Sequence, residues 1–373
     1  MFDKVSRVLE SLRVVISNLR RQSSLRIGPL ADNSIVIKVT QRVEIRTLRY
    51  LLILFNVAGY EIWLNGRLNR WTLSAARMLH WHPRTCLFWR EPAIRTIPIY
   101  CTDEKMGGGA PRDALPSKTI QLHYDYSPEL RLDRGHFAMA IPMHSQIYVE
   151  YKEHERLDGY RCVGRKMRVL FAGNWNEAYH NNIITKLLKK RSRYEIMSYL
   201  YEEKLARIVQ CADDLDSLFE LGYANELVLL EPRWLNQSRW LTTIAIADFF
   251  LCPPGIIMAW SHNIVEAMAV GTIPITNYPE WLVPPLEDGV NCLVFKELEE
   301  LKGCLQTAKG MKEKTVRQMR ENVVAYYREY LDPVGFVQKL LDSREPLIHL
   351  HLWDEKEEVM RRVLVAQEDV VGL

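Results

Sequence analysis

A chain of 373 residues is long enough for two domains, and its 48% hydrophobic and 25% charged residues describe a globular protein, not a disordered one. A net charge of +3 is too small to imply nucleic-acid binding, and seven cysteines without a Cys-x-x-Cys pair argue against a zinc site and a disulfide framework. No signal peptide is visible and no apolar run reaches the roughly 18 residues of a membrane span, so a cytoplasmic protein is expected.

In chain order, residues 1–22 place Phe2, Val5, Val8, Leu9, Leu12, Val15, Ile16 and Leu19 on one stripe with basic residues opposite, which predicts an amphipathic helix. Such a helix packs on its own domain or makes peripheral contact with an anionic membrane face or a partner. A strand from Ser34, a helix ending near Gly59 and a strand over 60–66 form a strand–helix–strand unit. Apolar runs at Thr85–Phe88, Ile97–Cys101, Thr119–Leu122 and Gln146–Val149 extend it, so residues 1–150 predict one open α/β sheet. Met106–Lys118, rich in glycine and proline, is read as a loop.

Residues 151–166 are strongly charged without a period and are read as a linker. A second alternation restarts at residue 167: a strand ending in Gly173-Asn174, a helix over 181–190, a strand over 194–200 and a helix over 205–223. A strand over 225–231 and a helix over 238–247 then lead into the apolar run Phe249–Cys252. After Pro253-Pro254-Gly255, Ser261 is placed to cap a helix that Gly271 ends, and Thr272–Ile275 resumes a buried strand. Residues 167–330 form this second domain, and 331–373, broken by Asp332-Pro333, predict terminal helices that cross back to the first.

In that segment Asn263, Glu266 and Val270 share one helical face, and His262 lies one turn before Glu266. A carboxylate there can accept bonds from vicinal hydroxyls, and the free N–H groups at Ser261, His262 and Asn263 favour a phosphate. The sequence SHNIVEAMAVGTIPI, preceded by FFLCPPG and followed by Tyr-Pro-x-Trp, resembles the donor-site segment of GT-B glycosyltransferases, the exostosin-like ones especially. The resemblance covers this segment well and the rest in patches. It implies two Rossmann-like, doubly wound α/β domains facing a cleft, with Glu266 on the ribose of a nucleotide-sugar donor. The chain has Met258 where many retaining relatives carry an acidic residue, and Asn263 where exostosin-like members often carry Arg.

The function so implied is metal-independent transfer of a sugar from a nucleotide sugar to a glycan or glycoconjugate hydroxyl, with no cofactor beyond that donor. A sugar-nucleotide epimerase and a non-catalytic glycan-binding descendant are the alternatives. Ligands of open parallel sheets sit beyond the carboxyl ends of the strands, which selects Gly173 and Asn174. Arg233 and Arg239 are candidates to neutralise a diphosphate, with solvated surface charge as the plainer reading. The basic run from Lys189 to Arg193 is read as the close of a helix. A base for an inverting reaction is expected at His123 or Asp125, with His136 and His144 behind them. His349 and His351 have strand spacing that could ligate a metal, but no third ligand cluster nearby, so structural roles are expected.

Overall fold

The computed structural model describes residues 30–40, 45–65, 87–89, 97–104, 116–130, 132–209, 223–230 and 237–356, with the single positions 217, 220, 358 and 361. The N-terminal stripe, the loop over 106–115 and Arg233 lie outside the described residues. The chain divides into two compact units. One holds the described residues up to Ala140, Tyr148–Glu150 and the chain from Pro333; the other holds Ile141–Ile147 and Tyr151–Asp332.

In the first unit β1 (Ser34–Lys38), α1 (Ile45–Val57) and β2 (Glu61–Asn65) are followed by β3 (Leu87–Trp89), β4 (Ile99–Thr102), β5 (Lys118–His123) and β6 (His136–Ala138). Ile35, Val36 and Ile37 are fully buried although successive side chains point to opposite faces. A strand buried on both faces belongs in the middle of a covered parallel sheet, and β1 pairs in parallel with β2 and β4. Expected strand Gln146–Val149 is instead a helix, α2 (Ser145–Val149).

In the second unit α3 (Leu157–Arg161), preceded by a 3-10 turn at Glu153–Arg156, replaces the expected linker. Next come β7 (Met167–Ala172), α4 (Arg193–Glu202), β8 (Ala206–Val209), β9 (Ala224–Leu230), α5 (Trp240–Ala245) and β10 (Ala247–Cys252). The unit closes with α6 (His262–Ala269), β11 (Ile273–Thr276), β12 (Leu293–Val294), α7 (Leu298–Gly310) and α8 (Glu313–Tyr326). The sheet is parallel throughout, in the order β12-β11-β10-β7-β9-β8. Two sequence expectations fail here. Residues 194–200 are helical because Ser192 accepts from the Glu195 amide while Glu195 accepts from the Ser192 amide, a capping box that starts α4. Residues 206–209, expected inside a helix, pair with β9 as an edge strand.

After α9 (Pro333–Leu341), the chain does not end in helices alone: β13 (Leu347–His351) enters the first sheet between β5 and β6. That sheet runs β3-β2-β1-β4-β5-β13-β6, all parallel. Its last segment is anchored by buried Trp353, whose carbonyl accepts from Thr47 of α1 at 2.9 Å. Each unit is thus a doubly wound α/β sheet, as the alternation of elements predicts.

Candidate functional site

In the second sheet the chain leaves β7 in one direction and β10 in the other, which makes the carboxyl ends of these neighbours the switch point where ligands bind in open α/β sheets. A cavity of about 390 Å³ lies there, lined by the turn after β7, the start of α6, the start of α4, Trp240 of α5, and His144, Gln146, Ile147 and Tyr151.

Five predicted residues line it: Gly173, Asn174, His262, Asn263 and Glu266. Gly173 has φ +152, and a Cβ there would lie 3.4 Å from Asn263 Nδ2 and 3.7 Å from an Arg193 nitrogen. Those two are ordinary contacts; what favours glycine is the positive φ, with Phe171 at 3.3 Å the tightest neighbour of such a Cβ. Asn263 donates to the Ala172 carbonyl at 3.2 Å, tying the start of α6 to the end of β7. His262 Nδ1 lies 2.9 Å from the Pro142 carbonyl. Ser261 does cap α6 in extended conformation, but its hydroxyl makes no capping bond. Arg239, exposed in the turn before α5, is not part of the cavity lining.

Glu266 is 2% exposed. The His144 amide donates to one carboxylate oxygen at 2.9 Å and the Trp240 indole to the other at 2.6 Å. Burial pushes its pKa up to about 7, against the pull of those two donors. Each oxygen keeps a lone pair for a further donor. His144, expected near the base in the first domain, instead belongs to the second unit and serves Glu266 through its backbone.

Arg193 was missed. The basic run read as the close of a helix in fact opens α4, and Arg193 turns inward, 4% exposed. It donates to the carbonyls of Pro254 and Asn174 at 3.0 and 3.1 Å and lies 4.3 Å from the centre of the Tyr179 ring. Burial lowers its pKa, and the groups that oppose this are tyrosines and a cysteine, not carboxylates. The signal that could have found it is the Ser-x-x-Glu of the capping box, which places Arg193 in the first turn of a helix.

In the first unit, His123 and Asp125 do come together, but inside a larger cluster. Asp125 accepts from His351 Nδ1 at 2.7 Å, and His123 Nε2 lies 2.9 Å from His349 Nδ1. His136, placed behind the base by the sequence, is bound to His351. Burial raises the Asp125 carboxyl, but the bond and charge of His351 outweigh it and leave it below its usual value. Burial and the neighbouring histidines hold His123 below an ordinary histidine. Among the described residues no set of three or more ligating side chains is arranged to hold a metal ion.

No family model matches the chain, and no curated protein matches it. Among solved structures, HepE of Anabaena in complex with UDP is 14% identical over 83% of this chain and 98% of that one, with a TM-score of 0.41. A glycosyltransferase of Rickettsia africae is 9% identical over 89% of this chain and 98% of that one, TM-score 0.42. AviGT4, a glycosyltransferase involved in avilamycin A biosynthesis, is 13% identical over 89% and 98%, TM-score 0.38. Likeness at this level assigns neither a family nor a ligand, and the functional reading rests on the chemistry of the site.

Proposed function

We propose that the protein is a glycosyltransferase of the GT-B kind, moving a sugar from a nucleotide-sugar donor to a glycan or glycoconjugate hydroxyl without a metal ion. One observation carries this reading. A single cavity at the switch point holds a buried cation, Arg193, and a buried carboxylate, Glu266, neither of which has a partner of opposite charge among the described residues. A buried charge is costly until an opposite charge or strong donors reach it. A nucleoside diphosphate offers both at once: phosphate oxygens for Arg193 and vicinal ribose hydroxyls for Glu266.

In the transfer, the acceptor oxygen attacks the anomeric carbon, the bond to the phosphate breaks, and its electron pair leaves with the diphosphate. Arg193 stabilises that charge as it develops. The acceptor proton goes to a base, which for an inverting reaction we assign to His123 or Asp125. Asp125 is the more available, since its side chain is half-exposed whereas His123 Nε2 is engaged by His349. Contact with an anionic membrane or a partner through residues 1–22 belongs to the same proposal; among the described residues no helix is long and apolar enough to cross a membrane.

Nucleoside diphosphate release from a panel of nucleotide sugars, with and without glycan acceptors and in excess chelator, tests the reading. Acceptor-stimulated release that persists in chelator supports it. Release abolished by chelator and restored by manganese would remove metal independence, and no release from any donor would remove the transferase assignment.

A further inference from the structure

The histidine cluster of the first unit has a geometry of its own. His123 Nε2 and His349 Nδ1 are 2.9 Å apart with ring centres at 5.1 Å, and His136 Nδ1 and His351 Nε2 are 2.9 Å apart with ring centres at 5.2 Å. Each ring nitrogen lies about 1.1 Å from its ring centre, so both pairs are nearly in line, each nitrogen facing the other as in an N–H···N hydrogen bond. The pairs stack on one another: His123 on His351 at 5.0 Å and 20°, His136 on His349 at 4.4 Å and 13°. Four rings thus form a two-by-two tile. At 2.9 Å the facing nitrogens are too close to admit an ion between them, since metal–imidazole bonds are about 2.0 Å each, which sets this arrangement apart from a metal site.

The tile joins distant parts of the chain. His349 and His351 lie on β13, His123 on β5 and His136 on β6, and the bonded pairs are 226 and 215 residues apart. β13 reaches the first unit only after the whole second unit has been made. It sits between its two bonded neighbours, with the Leu352 amide on the His123 carbonyl at 2.7 Å and the Met139 amide on the His351 carbonyl at 2.8 Å.

We propose that the tile is a proton-operated lock on this return strand, closed while each in-line pair shares one hydrogen and opened when acid protonates both members of a pair. The hydrogen assignment follows from Asp125. Its carboxylate requires the hydrogen of His351 on Nδ1, so neutral His351 accepts at Nε2 from His136 Nδ1. One added proton leaves an N–H facing a lone pair. A second sets N–H against N–H and breaks the bond. The tile therefore holds at most one extra proton per pair, and two such charges, one in each pair, sit on stacked or diagonally adjacent rings of the tile.

The charged groups acting on the tile are Asp125, from the turn after β5, and the histidines of β5, β6 and β13 themselves. The Arg134–Glu345 ion pair closes the opposite end of the β6–β13 pairing. Burial and mutual repulsion hold His123 and His349 below the ordinary value of 6.5, so the unfolded chain binds protons that the folded unit refuses. Stability from these groups is complete above pH 6.5 and is lost as pH falls through their lower folded values. Asp125, also lowered, acts in the same direction at more acidic pH.

The test is made on the full chain, by thermal unfolding between about pH 8 and pH 5 and by the imidazole nitrogen resonances of histidine over the same range. The wild type is expected to lose stability steeply below pH 6.5, with no more than two of the four tile rings charged while the fold persists. His349→Gln and His136→Gln should each flatten that acid loss by about half. If either fails to fold, the wild-type resonances decide. Four rings titrating independently near pH 6.5 without loss of stability would overturn the lock. So would zinc or nickel raising the unfolding midpoint at neutral pH in the wild type and in neither variant, because the tile would then be a metal site.

Discussion

The indole nitrogen of Trp240 donates a 2.6 Å hydrogen bond to the buried carboxylate of Glu266, and the opposite oxygen is held by the amide of His144. Two donors on different elements therefore fix the carboxylate at the mouth of α6. A hydrogen bond to a charged group contributes about 1.5–3 kcal/mol, and Trp240→Phe removes this one while keeping an aromatic ring in place. The variant should bind nucleoside diphosphate about tenfold more weakly by calorimetry and should lose about 1–3 kcal/mol of stability while still folding. Unchanged affinity would show that Glu266 needs no such support.

Because burial pushes Glu266 up to about pKa 7, the site should be pH-dependent in the neutral range. Only the ionised form accepts from both ribose hydroxyls, so nucleotide affinity should fall about tenfold from above pH 7 to pH 6. Stability runs the other way. A carboxyl whose folded pKa is raised contributes fully below the unfolded value of 4.5 and loses that contribution as pH rises through 7. Glu266→Gln should thus bind weakly at every pH yet unfold at a higher temperature than the wild type at pH 8, the gain reaching about 3 kcal/mol at most. A variant that binds normally, or keeps the wild-type pH profile, would discard the ribose assignment.

Catalysis by Asp125 or His123 predicts a different signature. Replacing the true base should lower turnover by about a hundredfold or more with donor affinity near normal, since proton transfer matters only in the transition state. Asp125→Asn and His123→Gln separate the two. Near-normal turnover in both, or a product that retains the donor's anomeric configuration, would remove the base from this cluster.

How far the site could be read from sequence depended on whether the signal was local. β7, β10 and α6 were legible because apolar runs, a Pro-Pro-Gly stop, a capping serine and Gly271 lie within the elements they define, and the last has φ +73 as a helix stop requires. Residues 194–200 were misread because Tyr, Ile and Tyr favour strands. The apolar spacing of buried Ile196, Met197 and Leu200 is helical, and the Ser192–Glu195 box settles it. His144 was misplaced for a deeper reason: it reaches Glu266 through its amide, and a backbone donor leaves no mark on residue identity. The insertion of β13 was equally hidden, since a strand's partners lie hundreds of residues away.

The most direct measurement is calorimetric titration of nucleoside diphosphates, and of the matching nucleosides, into the wild type, Arg193→Lys and Glu266→Gln. Lysine keeps the charge but loses the planar fork that holds the Pro254 and Asn174 carbonyls while facing the cavity. Tight diphosphate binding by the wild type is predicted, weakened tenfold or more by Arg193→Lys with nucleoside binding unchanged, whereas Glu266→Gln weakens both ligands. Absence of diphosphate binding by the wild type, or equal affinities across the three proteins, would contradict a nucleotide-sugar site in this cavity.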